Sequence, residues 1–202
     1  MAKSGILSCG ARGYRNEMSV FLALGANLPS RVGTPAQTLV AALVELERRG
    51  LIILRSSHPY ASPAWPNPSD PMFVNAVVEV KANSSPADIL ALVHATETAF
   101  GRTRSVPNSP RTLDIDILDF ESRVEAGPPI LPHPRMHERA FVLLPLKEIA
   151  RRWRHPRSQK SVDALLEALP AAQRNAVVSI QTVVRYLPHD ESGGVESDQA
   201  RR

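Results

Sequence analysis

Cysteine is all but missing from this chain of 202 residues, in which Cys9 stands alone. One thiol cannot make an intrachain disulfide, so the fold must rest on its own core, and the composition fits a reducing, cytoplasmic setting. Aromatic residues are scarce, at 5%, and are not interleaved with a basic stripe, which argues against a base-stacking nucleic-acid surface. No apolar run approaches the ~20 residues that a membrane helix needs. The first residues also lack the apolar segment of a signal peptide. The expected partners are small molecules, with no nucleic acid and no membrane, and the expected state is a monomer. An excess of either charge is slight, since 24 Lys and Arg face 20 Asp and Glu. The net of +4 leans mildly toward anionic ligands.

What is present is 43% hydrophobic residues, over a length that can bury a real core. Residues 1–18 show no period and are expected to be a flexible lead, with Met18 a candidate start. The pattern begins with an apolar strand from Ser19 to Leu24, ended by Gly25, Ala26 and Asn27. Thr34, Pro35 and Gln37 then give a cap, a first-turn proline and a capping-box partner for a helix reaching about Arg49. A strand follows over Leu51–Ser57. A Pro-, Asn- and Asp-rich loop from Pro59 to Pro71 carries Trp65, either a packed anchor or a lid.

The next strand, from Phe73 to Val80, puts Val74, Ala76, Val78 and Val80 on one face and Phe73, Asn75, Val77 and Glu79 on the other. Phe73 and Asn75 side by side fit a flat heterocycle, by stacking and paired hydrogen bonds, or ordinary cross-strand packing. A second capped helix runs from Ser85 to Phe100, with Glu97 at the core boundary. After it comes a basic loop with Arg102 and Arg104, leading to Arg111.

The run Pro110-Arg111-Thr112-Leu113-Asp114-Ile115-Asp116-Ile117 reads as a strand with an oily face and an acidic face. Asp114 and Asp116, both ionised at neutral pH, either form a solvated acidic surface or hold a hard cation such as Mg²⁺. The cation would bring phosphate oxygens with it, and the arginines would face those oxygens from the other side. His133 sits in a proline-stiffened segment suited to phosphate contact, and Arg139 and Phe141 open a further helix that Pro145 should break or kink. A short helix is expected over Val162–Leu169 and strand-like alternation over Asn175–Leu187.

The order from Ser19 is β-α-β-β-α-β, so the expected class is α+β, a ferredoxin-like core with additional C-terminal elements. Helices should cover one face, leaving the other as a cleft lined by Phe73, Asn75, Asp114 and Asp116. The expected division is a core over 19–150, an extension over 151–187 packed on it, and a disordered tail over 188–202.

These motifs together resemble the 6-hydroxymethyl-7,8-dihydropterin pyrophosphokinase family. The matching pieces are Leu24-Gly25-Ala26-Asn27, Ser57 to Tyr60 with Ser62-Pro63, Phe73-Val74-Asn75-Ala76, Glu97 with Gly101-Arg102, Pro110 to Ile117, Pro132-His133-Pro134, and Arg139 to Leu143. The resemblance implies transfer of pyrophosphate from ATP to the hydroxymethyl group of a reduced pterin, giving AMP and the pterin diphosphate. It implies that Asp114 and Asp116 hold two Mg²⁺ ions. It also places Glu97, Arg102, Arg111, His133 and Arg139 on the nucleotide side, with Arg102 and Arg111 acting in catalysis. Ser62, Pro63, Phe73, Asn75 and Phe141 fall on the pterin side. Asn108, Pro134, Ala26 and the Ala64-Trp65-Pro66 run depart from the family pattern, and bear on loop closure and rate rather than on the metal ligands. Two other readings compete: the same scaffold acting on another heterocyclic alcohol, and a noncatalytic module binding nucleotide or RNA through Arg102, Arg104 and Arg111.

Overall fold

The computed structural model describes residues 19–102 and 109–180. The expected lead and tail, Arg104 and Asn108 lie outside them. Strand β1 spans Ser19–Ala26, helix α1 Pro35–Arg48, β2 Ile52–Ser56, β3 Tyr60–Ser62, β4 Phe73–Lys81, α2 Pro86–Ala99 and β5 Asp114–Phe120. After a short turn of 3-10 helix come α3 Ala140–Ile149, α4 Val162–Ala168, α5 Ala171–Asn175 and β6 Val178–Ser179. The strands lie in the order β5-β1-β4-β3-β6, with β2 also on β4, and every pairing is antiparallel. This is the ferredoxin-like arrangement, extended at one edge by β6.

Both long helices start as the sequence predicts. Thr34 Oγ1 accepts from the Gln37 backbone N–H while the Gln37 side chain accepts from the Thr34 N–H. Ser85 and Asp88 repeat this reciprocal pairing at α2. Two groups that would otherwise lack a partner are thus satisfied at each helix start. Leu39, Leu43 and Leu46 of α1, with Ile89 and Val93 of α2, bury against Leu22, Leu24, Val78 and Val80 of the sheet.

The opposite face differs from the expected open cleft. Val77 and Glu79 are buried there, beneath Met136, Val142, Leu143, Leu146, Trp153, Leu165 and Leu166. The α3 and α4 region forms a second apolar layer over half of that face, so only the end carrying Phe73, Asn75, Asp114 and Asp116 stays open. A register shift between β1 and β5 helps build this layer. It turns Asp119 toward the second layer, where the carboxylate accepts from Trp153 Nε1 at 2.7 Å.

Three further segments depart from expectation. The Pro59–Pro71 loop begins with β3, because Tyr60–Ser62 pair with the Phe73–Asn75 end of β4. Pro145 lies inside α3 without ending it, since a proline removes one N–H donor and the packed apolar face holds the remaining turns. The segment from Asn175 is a helix end followed by the two-residue β6, and residues 181–187 lie outside the described range.

Candidate active site

The open end of the sheet is built around the last turn of β1. Gly25 lies opposite Asn75 on one side and Asp114 on the other. A Cβ at Gly25 would stand 3.2 Å from Asn75 Oδ1, so glycine is what lets the amide lie flat across β1. Asn27 then ties the neighbouring loops down. Its Oδ1 accepts from the Arg111 N–H at 2.7 Å, its Nδ2 donates to the Pro71 carbonyl at 3.0 Å, and its own N–H donates to the Arg111 carbonyl. The sequence showed Gly25 to Asn27 as a strand end and as one piece of the family resemblance. The hydrogen bonds make it the clamp that sets the entry to β5.

Asp114 and Asp116 project from β5 on the same face. Asp114 meets Arg102 at 2.5 Å and Arg111 at 2.9 Å. Asp116 meets Arg139 at 3.3 Å and faces His133 Nε2 at 3.7 Å. Glu97, only 2% exposed, pairs with Arg102 and also accepts from the Ile115 N–H at 2.7 Å. It fixes the last turn of α2, the arginine and the acidic strand to one another. Burial raises the Glu97 carboxyl above its ordinary range, against the pull of the Ile115 N–H and Arg102. Burial and the adjacent Asp116 raise Asp114 in the same way, while Arg111 and Arg102 oppose the shift. Burial lowers His133. His133 Nδ1 accepts from the Arg135 N–H, so a neutral ring presents its Nε2–H to the acidic strand.

Two cavities open on either side of these carboxylates, and among the described residues Asp114 and Asp116 are common to both. The larger, about 570 Å³, takes in Ser62, Pro63, Phe73, Asn75 and Phe141. Asn75 Nδ2 donates to Ser62 Oγ at 2.9 Å, which presents the two polar groups as one unit. The smaller, about 270 Å³, is lined by Glu97, Arg102 and His133, with Leu90, Ile117 and Ile130 as its apolar surface. Arg111 and Arg139 border the larger cavity, their guanidinium carbons 6.0 Å from the Phe73 ring and 5.7 Å from the Phe141 ring. They reach the shared border through their pairs with Asp114 and Asp116.

Trp65 is 63% exposed at the rim of the larger cavity, under the Arg135 guanidinium at 5.3 Å, so it is no packed anchor. Arg135, Glu138, Gln173 and Val177 also reach this cavity and were not singled out from the sequence. Arg135 directly follows the Pro132-His133-Pro134 run, but no local pattern marks Gln173 or Val177.

The donor set fits a hard cation. It is two carboxylates on one strand face that already draw in three guanidinium groups. Among the described residues no cluster of three or more His, Cys, Asp or Glu could enclose a metal. A cation at Asp114 and Asp116 must complete its shell with water and phosphate oxygens, as Mg²⁺ characteristically does.

Comparison with known proteins decides the family. The family model for 7,8-dihydro-6-hydroxymethylpterin-pyrophosphokinase (HPPK) matches residues 21–151. The chain belongs to the HPPK family. The 2-amino-4-hydroxy-6-hydroxymethyldihydropteridine pyrophosphokinase of Synechocystis sp. is 37% identical over 142 residues, covering 69% of this chain and 72% of the relative. The enzyme of that name from Pseudomonas aeruginosa is 37% identical over 153 residues, covering 75% of this chain and 91% of the relative. The crystal structure of Plasmodium falciparum HPPK-DHPS with pteroate aligns at a TM-score of 0.57 and 12% identity, over 74% of this chain and 44% of that one. That likeness concerns the fold. Family membership makes this HPPK chain an enzyme, and sets aside the noncatalytic reading.

Proposed function

We propose that the enzyme transfers pyrophosphate from ATP to the hydroxymethyl group of 6-hydroxymethyl-7,8-dihydropterin, in folate biosynthesis. The products are AMP and the pterin diphosphate, and the reaction depends on two Mg²⁺ ions. The observation that carries this reading is the position of Asp114 and Asp116 as the shared border of two cavities. A donor and an acceptor bound one in each cavity meet at that border.

Asn75 and Ser62 hold the pyrimidine edge of the pterin by amide and hydroxyl hydrogen bonds, and Phe73 and Phe141 bound its ring. The smaller cavity takes the nucleotide, with Leu90 and Ile130 against the base and His133 Nε2–H toward phosphate. Asp114 and Asp116 would hold Mg²⁺, which when bound acidifies the attacking alcohol and neutralises phosphate charge. Arg102 and Arg111, resting on Asp114, are positioned to compensate charge that builds on the transferred and leaving groups. Arg139 does the same from the Asp116 side. Glu97 works indirectly, by orienting Arg102 and the β5 backbone. Alignment of the two reactants supplies the rest of the rate.

The test is a product assay with ATP and the dihydropterin. One AMP per pterin diphosphate is expected, with activity abolished by a chelator and restored by Mg²⁺. Formation of ADP, or turnover that survives chelation, overturns the reading. Turnover of another heterocyclic alcohol in place of the dihydropterin would reassign the substrate.

A further inference from the structure

The family match ends at residue 151, yet Gln173, Ala176 and Val177 line the larger cavity. This segment is pinned on three sides. Gln173 Nε2 donates to the Glu138 carbonyl at 2.7 Å. Arg174 Nη1 donates to the Leu166 and Leu169 carbonyls at 2.9 and 2.5 Å, at the end of α4. The Ile180 N–H donates to the Pro59 carbonyl at 2.8 Å. A strip tied in this way to Glu138, to the end of α4 and to Pro59 is a built wall.

Strand register says which part of a bound heterocycle the wall faces. Asp114 lies opposite Gly25, Gly25 opposite Asn75, Asn75 opposite Tyr60, and Tyr60 opposite Ser179. Continuing the β3–β6 register from Ala61 and Val178 puts Val177 opposite Ser62. At roughly 4.8 Å per strand, Asn75 stands about 10 Å across the sheet from the carboxylates, and β6 about 19 Å. A hydroxymethyl group over Asp114 and Asp116 sends the pyrimidine edge to Asn75 and Ser62. The strip at Ala176 and Val177 then lies beyond that edge, behind the exocyclic amine.

We propose that Ala176 and Val177 form the end wall of the heterocycle pocket and determine how large a group that amine can carry. The inference rests on the pterin reading above. Ala176 is exposed and Val177 half-buried, and their side chains bear only methyl groups. These side chains offer the amine no polar partner and discriminate by shape. Shape discrimination against one extra methyl in an apolar pocket is worth about tenfold or more.

The experiment uses the full chain, with a nonhydrolysable ATP analogue and Mg²⁺ present, and titrates calorimetrically with the parent dihydropterin and its N2-methyl derivative. Val177→Ala should shift the affinity ratio toward the N2-methyl compound by about tenfold, and Val177→Phe should shift it the other way. Affinity for the ATP analogue should stay within about twofold in both. A general loss of structure would weaken both pterins alike and leave the ratio unmoved. An unmoved ratio in both variants, with the ATP analogue still bound as by the native chain, overturns the end wall alone. Failure of the native chain to bind the parent overturns the pterin reading itself.

Discussion

Gly25 shows how much one missing side chain decides. With no Cβ, it lets Asn75 Oδ1 approach the β1 backbone, where a methyl would press at 3.2 Å. Gly25→Ala is expected to push the amide out of line and weaken dihydropterin binding about tenfold, about 1.4 kcal/mol. Affinity for an ATP analogue should be unchanged, and calorimetric titration of each ligand separates the two effects. Equal weakening of both would contradict the role given to Asn75. Asp119 is a second instructive residue. Burial raises its carboxyl above the ordinary range, while hydrogen bonds from Trp153, Ser122 and Phe120 pull it back. With the folded value raised, its contribution to stability is complete below the ordinary value near 3.9 and is lost as pH rises through the folded value. The Asp119→Asn variant lacks this titration. Its stability relative to the native chain should therefore improve as pH rises from about 4 through the folded value, and then level off. Denaturant unfolding followed by Trp153 fluorescence measures this, and a difference that is flat or falls with pH would refute it.

At the scale of elements, the helix starts were legible because their chemistry is local. Thr34 with Gln37, and Ser85 with Asp88, need no distant partner to form their boxes. Ser85 is twelve residues before Glu97 on α2, so about 18 Å from it along the helix axis. Ser85→Ala is expected to cost about 1 kcal/mol of stability and to leave both Michaelis constants unchanged. The denaturant midpoint and steady-state kinetics check this together. A change in either constant would mean that α2 transmits strain to Arg102 through Glu97. The elements misread were those whose state depends on contact. Tyr60–Ser62 became a strand because β4 offers an unpaired edge there, and α3 continued through Pro145 because its apolar side is packed. The alternation rule also fails at Asp119, where the register shift against β1 turns a carboxylate toward Trp153. Nothing in residues 114–120 taken alone announces that shift.

At the scale of the molecule, the sheet carries an apolar layer on each face. One is built with α1 and α2, the other with α3 and α4. Because β1, β4 and β5 contribute to both layers, the two should unfold together. Leu165→Ala, in α4 at 5% exposure, should lower the stability of the whole chain by about 2–5 kcal/mol. Far-UV circular dichroism and Trp153 fluorescence should shift to the same new midpoint. Separate midpoints would show that the α3–α4 layer melts independently of the first.

The sequence by itself determined the β-α-β-β-α-β order apart from β3, the two helix caps, the acidic face of Asp114 and Asp116, and the family. These are written in short runs, where periodicity and local hydrogen bonding act between near neighbours. It also named many of the residues that gather at the open end, among them Ser62, Asn75, Arg111 and Phe141. Only the tertiary structure decided that half of the second face is covered, and that Arg111 and Arg139 reach the shared border of two cavities through Asp114 and Asp116. Only it brought Gln173 and Val177 into the lining of the larger one. Those facts rest on contacts between segments tens of residues apart in the chain, and such contacts leave no period, cap or spacing to read in advance. Asp114 and Asp116 look the same in one dimension whether they face solvent or a cleft. Arg139 and Phe141 on one side and the His133 segment with α2 on the other make them the border between two cavities.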